Sequence, residues 1–205
     1  RSRGVIAASA GNHAQGVALA SQKLDIPATI VMPTSTPPIK VDSVRERGSR
    51  VILHGDNFNE AYQKSQVIAA REELTFIHPY DDELVIAGQG TIGLEILRQH
   101  SGPIDAVFVP VGGGGLIAGV SIYIKYLRPE IKVIGVEEED SACLYAALQE
   151  GKRVSLDQVG IFADGTAVKQ VGRRPLQIAQ EGVDQGITAN THEICAAIKE
   201  IYTDT

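Results

Sequence analysis

The 205-residue chain has only two cysteines. Cys143 and Cys195 lie far apart, each inside a helical pattern, without metal-ligand spacing. They read as small core residues of a protein kept in a reducing, cytoplasmic compartment. No apolar run approaches the length of a membrane span, and no signal peptide is recognisable, so membrane partnership is excluded. There is no basic stripe either. The formal net charge of −6 is spread along the chain, which excludes nucleic acid as a partner. The lysine-bearing P-loop spacing of nucleotide-hydrolysing proteins is absent. A clean Gly-x-Gly-x-x-Gly is absent too, because Gly112 and Gly114 would need a third glycine where Ile117 stands. What the chain does have is a hydrophobic content of 43%, enough for a substantial core in one large or two small domains.

The most informative stretch is Val107-Phe108-Val109-Pro110-Val111 followed by Gly112, Gly113, Gly114, Gly115 and Leu116. An apolar strand-like run ends in four glycines, and a helical pattern (Ile117, Val120, Ile124, Leu127) follows at once. Glycines at such a junction let successive N–H groups turn inward, and the helix dipole adds partial positive charge, so an anion is the natural guest. With the nucleotide spacings missing, a small phosphorylated cofactor is the guest that remains.

A second junction of this kind opens the chain. Val5-Ile6-Ala7-Ala8 reads as a buried strand, Ser9-Ala10-Gly11-Asn12-His13 as a turn, and 14–24 as a helix with Val17, Ala18, Ala20 and Leu24 on its apolar side. Ser9 or Asn12 is expected to cap it. Strands at 28–32, 51–53 and 75–77 alternate with helices at 37–47 and 57–73, the latter capped by Asn57 with Tyr62, Val67 and Ile68 inward. This is the pattern of a parallel sheet covered by helices. His78-Pro79-Tyr80-Asp81-Asp82 breaks the rhythm and marks a domain crossing. The predicted domains are 3–80 and 81–205. A helix over 86–99 carries Gly88, Gly90 and Gly93, which points to close packing, since each costs about 1 kcal/mol against Ala. A buried strand over 132–137 leads into Glu137-Glu138-Glu139-Asp140, read as a solvated acidic turn with Asp140 or Ser141 capping the next helix. Beyond the irregular Phe162-Ala163-Asp164-Gly165 come helices at 173–181 and 191–201, the second capped by Thr191, with a strand at 186–188 between them.

The Ser-Ala-Gly-Asn-His-Ala-Gln-Gly turn, the segment Ala87-Gly88-Gln89-Gly90-Thr91 and the tetraglycine turn together resemble the fold type II pyridoxal-phosphate enzymes. Among these it resembles the threonine ammonia-lyases, or biosynthetic threonine dehydratases. The resemblance covers essentially the whole chain. It implies an α/β fold of two three-layer α/β/α lobes with mainly parallel sheets. The lobe over 3–80 would be the substrate-carboxylate domain, and 81–205 part of the cofactor domain. The resemblance further implies that Gly112, Gly113, Gly114, Gly115 and Leu116 hold the phosphate of pyridoxal 5'-phosphate. Asn12 would meet the phenolic oxygen of its ring, and Ser9, Ala10, Gly11 and His13 would receive the substrate carboxylate. Ala10 stands where serine racemases of this fold carry a serine, which argues against racemisation. Some members bind a divalent cation at the position of Glu137. The further ligand positions here hold Ser141 and Cys143, and no metal site is expected.

The family's Schiff-base lysine segment has no counterpart in these 205 residues. It is expected upstream of Arg1, and a pyridine-facing serine is expected beyond Thr205. Both ends therefore read as internal to a longer chain, and the fragment is expected to be inactive alone. For the complete protein, the resemblance implies dehydration and deamination of L-threonine to 2-oxobutanoate and ammonia, the first step of isoleucine biosynthesis, in a homo-oligomer (a tetramer). L-Serine dehydration is the alternative within the class. A non-catalytic phosphate-ligand-binding fragment is the alternative outside it, and a dinucleotide-dependent oxidoreductase, with Glu137 as its acidic residue, is a third.

Overall fold

A sheet strand buried on both faces reads as an unbroken apolar run, because neither side needs polar residues. Ala28-Thr29-Ile30-Val31-Met32, apolar but for Thr29 and buried throughout, is such a run, and it forms the heart of the first sheet. The computed structural model describes residues 3–160 and 162–204. The chain divides into two compact units, Arg1–Pro79 and Tyr80–Thr205. Arg1, Ser2 and Thr205, the termini from which the flanking segments were reckoned, lie outside the described residues.

In the first unit the order is β1 (Val5–Ala8), α1 (Asn12–Lys23), β2 (Ala28–Met32), α2 (Pro38–Arg45), β3 (Arg50–Leu53), α3 (Phe58–Glu72) and β4 (Thr75–Phe76). The strands form one parallel sheet in the order β3-β2-β1-β4. Period-two alternation sorts their side chains. Ala7, Ile30 and Met32 pack with Ala14 and Ala18 of α1 and Val41 and Val44 of α2. Ile6 and Val31 pack with Ala61 and Ile68 of α3. The helices therefore cover both faces, giving the three layers expected. Pro38 opens α2, where a missing N–H costs nothing. Asn57 caps α3 by accepting the Glu60 N–H, and Glu60 in return accepts the Asp56 N–H. Three inward assignments fail at helix edges. Val67 is 60% exposed and Leu24 57%, and Ala20 faces solvent, because the apolar stripes are narrower than the sequence suggests.

The second unit contains α4 (Glu83–Gln99), β5 (Ala106–Pro110), α5 (Gly115–Leu127), β6 (Lys132–Glu138), a 3₁₀ turn (Glu139–Ser141), α6 (Cys143–Glu150), α7 (Arg173–Gly182), β7 (Gln185–Ala189) and α8 (Thr191–Asp204). Its parallel sheet runs β5-β6-β7. Val109 and Val133 meet Ile117, Val120 and Ile124 of α5, Leu144 and Ala147 of α6, and Leu176 and Ala179 of α7 in one core. Two of the three α4 glycines are explained by packing. A Cβ on Gly90 would lie 3.1 Å from the Gly119 carbonyl oxygen of α5, and one on Gly93 would lie 3.3 Å from Cβ of Tyr123. Gly88 faces open space, and packing does not account for it.

Several local expectations are corrected. Cys143 is buried as expected, but Cys195 is exposed on α8, whose described residues include none that is buried. Leu127, at the end of α5, is half exposed. Thr191 is the first residue of α8 and not its cap. Asn190 accepts the Glu193 N–H and Glu193 accepts the Asn190 N–H, a capping box whose Asn-x-x-Glu spacing was present in the sequence. The acidic run is solvated only at Glu139 and Asp140. Glu137 is 3% exposed and Glu138 5%. Neither Asp140 nor Ser141 caps α6. Glu137 does so from the end of β6, accepting the N–H groups of Leu144 at 2.9 Å and Tyr145 at 2.7 Å.

Candidate functional site

Each unit has a strand whose carboxyl end runs through a glycine-bearing turn into a helix. In the first, β1 leads into Ser9-Ala10-Gly11 and α1. Ser9 Oγ accepts the Gly11 N–H at 3.2 Å. Gly11, not Ser9 or Asn12, occupies the cap position of α1, and no side chain caps the helix. Asn12 is instead the first helical residue and is exposed. Among the described residues its amide has no hydrogen-bond partner, and neither do the N–H groups of Asn12, His13 and Ala14. His13 is turned away from these donors. Its Nε2–H donates to the Ile77 carbonyl at 3.1 Å. Burial, chiefly, lowers its pKa below the ordinary value, the Ile77 bond opposes this, and His78 nearby lowers it further. The imidazole is therefore held neutral, and the positive character at this helix start comes from backbone donors.

In the second unit, β5 leads through Val111 into the four glycines and α5. Gly114 has φ of +88°, the left-handed conformation that glycine adopts without strain. Among the described residues, none of the N–H groups of residues 112–116 has an acceptor. The loop is nevertheless held from several sides. A Cβ on Gly112 would lie 3.1 Å from the Thr166 backbone, and one on Gly114 2.8 Å from Cβ of Pro175. A Cβ on Gly113 would fall within the Tyr80 ring, and one on Gly115 2.8 Å from the Tyr80 backbone. The Gly113 carbonyl also accepts the Gly172 N–H at 3.0 Å. Five donors without acceptors among the described residues, at the start of a 13-residue helix and on a backbone braced by its neighbours, suit a phosphate dianion.

The segment 80–83 ties this region together. Asp82 caps α4 by accepting the Leu84 and Val85 N–H groups. Asp81 accepts the Arg173 and Arg174 N–H groups at 2.9 and 3.0 Å, capping α7 across 92 residues of sequence. Glu83 pairs with the Arg174 guanidinium at 2.9 Å. Sequence reasoning assigned this stretch only a domain crossing. The Asp-Asp-Glu run before a helical pattern was the available signal for the α4 cap, but nothing local could show that Asp81 serves a different helix.

Behind the tetraglycine turn, burial raises the Glu137 pKa to about 7, opposed by the N–H groups of Leu144, Tyr145 and Cys143. Cys143 Sγ lies 3.5 Å from the Gly112 carbonyl, and burial, with the Glu137 charge nearby, pushes its thiol up to about 12. It is an inert packing group. Glu138, on the other face of β6, accepts the Ala163 N–H and the Thr191 hydroxyl at 3.4 Å each. Among the described residues no group of three or more His, Cys, Asp or Glu side chains is placed to hold a metal ion. An apolar groove of about 600 Å³ lies between α4, α5 and α7, lined by Ile86, Leu94, Ile122 and Ile178 among others. It includes Ala87, Gly90 and Thr91 of the segment the sequence singled out, but none of the residues expected to hold cofactor or substrate.

With these features in place, the chain belongs to the pyridoxal-phosphate dependent enzyme family, whose model matches residues 1–205. Within it, the biosynthetic L-threonine dehydratase of Burkholderia multivorans is 54% identical over 99% of this chain and 41% of its own length. The mitochondrial threonine dehydratase of Saccharomyces cerevisiae is 54% identical over 100% and 36%. The chain thus spans about two fifths of these relatives. Among solved structures, the processed threonine deaminase isoform 2 of Solanum lycopersicum superposes with a TM-score of 0.94 at 51% identity, covering 98% of this chain and 58% of that one. Maize serine racemase superposes at 0.92 with 32% identity, over 98% and 60%.

Proposed function

We propose that residues 1–205 are the central part of a pyridoxal 5'-phosphate-dependent threonine ammonia-lyase. The observation that carries this reading is the row of five unpaired N–H groups over residues 112–116, in a chain about half identical to threonine dehydratases. The N–H groups of Gly112, Gly113, Gly114, Gly115 and Leu116 bind the cofactor phosphate. The partnerless amide of Asn12 hydrogen-bonds the phenolic oxygen of the ring and fixes its orientation. Ser9, Ala10, Gly11 and His13 form the turn that receives the substrate carboxylate. Because His13 is neutral, the free N–H groups of α1 supply the attraction there. In this reading the first unit is the substrate-carboxylate domain and the second part of the cofactor domain. Pyridoxal phosphate, when bound, supplies an electron sink for the carbanion left by loss of the α-proton.

The product is 2-oxobutanoate with ammonia. L-Serine is the competing substrate, since one methyl group is worth only about 1–3 kcal/mol of discrimination. The methyl group of Ala10 offers no acid or base for racemisation. The full-length protein is a cytoplasmic homo-oligomer.

The test is oxo-acid formation by the full-length, cofactor-loaded protein with threonine and with serine, beside residues 1–205 alone. Turnover of threonine by the full-length protein only, with loss of activity but not fold in Asn12→Ala, is the expected result. A loaded full-length protein inert to both amino acids overturns the reading. Turnover by residues 1–205 alone would show that the proton-abstracting lysine lies within them.

A further inference from the structure

The tetraglycine turn is usually credited to backbone freedom, but only Gly114 has a positive φ among the four. The other three need another explanation, and for two of them it is Tyr80. The ring of Tyr80 occupies the space into which a side chain on residue 113 would project, with ring atoms Cγ, Cδ1 and Cδ2 nearest. Its Cα and carbonyl oxygen stand 2.8 Å from where Cβ of residue 115 would be. The residue is fixed from the far side as well. The next residue, Asp81, caps α7, and Asp82 after it caps α4. Gly172, at the start of α7, returns its N–H to the Gly113 carbonyl, closing a ring of contacts around the loop.

We propose that Tyr80 is a positioning residue for the anion cradle. Its ring fills the absent side chain of residue 113 and holds the backbone of residues 112–115 so that their N–H groups converge on one point. Unpaired N–H groups on a loose loop would fan out or turn to solvent, and the entropy of gathering them would be charged against each binding event. A rigid aromatic ring, with two side-chain torsions, does the gathering in advance. The ring also closes one side of the loop, so the anion enters from the other. This inference rests on the cradle reading above and concerns what shapes the cradle, not what it binds.

The experiment is a double-mutant cycle in the full-length protein, reading the dissociation constant of pyridoxal 5'-phosphate by absorbance titration and that of inorganic phosphate by competition. Gly113→Ala is expected to weaken binding about tenfold or more, the loss of one or two charge-assisted hydrogen bonds. Tyr80→Gly weakens it about three- to tenfold, and Tyr80→Phe, which keeps the ring, leaves it within about twofold. Combined with Tyr80→Gly, Gly113→Ala costs nothing further, because its Cβ now has room. Gly115→Ala stays harmful in the same background, because its obstacle is the Tyr80 backbone. Far-UV circular dichroism checks folding. If Gly113→Ala does not fold, the comparison of Tyr80→Gly with Tyr80→Phe decides alone. Additive effects of Tyr80→Gly and Gly113→Ala, or unchanged affinity in Tyr80→Gly, overturn the proposal. A parent protein that binds neither ligand overturns the cradle reading itself.

Discussion

At the β1–α1 junction a Cβ on Gly11 would meet open space, whereas at the β5–α5 junction a Cβ on any of the four glycines would strike the protein. Gly11 also has a negative φ, −127°, so no left-handed backbone demands glycine there. The two junctions look alike in sequence, each a strand running through small residues into a helix with unpaired N–H groups. They differ in what keeps them small. At the second, the protein's own packing forbids side chains. At the first, no neighbour within 4 Å does. The surroundings differ in the same direction. Every buried carboxylate among the described residues, Glu137 and Glu138, belongs to the second unit.

The largest effect that sharpens this contrast is the pH dependence that Glu137 brings to the second unit. Glu137 binds its proton more tightly in the folded state, with a pKa of about 7 against an ordinary 4.5. Its contribution to stability is full below about pH 4.5 and declines as pH rises through about 7, by up to about 3 kcal/mol. Denaturation curves between pH 4.5 and 8 should show this slope, and Glu137→Gln should flatten it. A slope that survives the substitution would assign the titration elsewhere.

Next in size is the glycine pair itself. Gly115→Ala overpacks against Tyr80 and should cost about 1–3 kcal/mol by denaturant titration. Gly11→Ala should stay within about 0.5 kcal/mol of the parent while weakening ligand binding. Equal destabilisation by both would erase the distinction between a packed junction and an open one.

These two expectations also show what could be read from the sequence. The order of strands and helices was legible because Ile30-Val31-Met32 and similar runs have the length and flanking turns of buried strands. The tetraglycine turn was legible as a strand-to-helix junction because glycine repetition is itself the signal. The bracing of that turn was not, since Tyr80 lies more than thirty residues upstream and carries no local mark of its contact. The burial of Glu137 was hidden for a different reason. A run of four acidic residues reads as solvated, and only the arrival of the α6 N-terminus supplies the donors that make burial tolerable. Cys195 misled in the opposite sense, because a small apolar residue in a helical pattern gives no sign that its helix face is uncovered.

Smaller effects refine the comparison. Asp81→Ala removes two acceptors from the start of α7 and should lower stability by about 1–2 kcal/mol, as for other lost caps. Because that capping anchors the Tyr80 segment, cofactor affinity should fall with it. Thermal melts with and without pyridoxal phosphate measure both, and unchanged affinity would separate the cap from the cradle. Ser9→Ala, at the open junction, removes one acceptor at 3.2 Å and should cost no more than about 1 kcal/mol. A larger loss in the same melts would mean that the first turn is as tightly built as the second.

The contact between Gly90 and Gly119 sets how this second unit transmits force. Two helices whose main chains touch have no intervening rotamers to absorb a shift, so α4 and α5 behave as one stiff beam. Both helices start at the same end of that beam, α4 at Glu83, just after the ring that braces the loop, and α5 at Gly115, within the loop itself. A push on the residues entering α4 should therefore reach the glycine turn with little damping. Amide hydrogens along the touching turns should exchange with deuterium only when the whole unit opens.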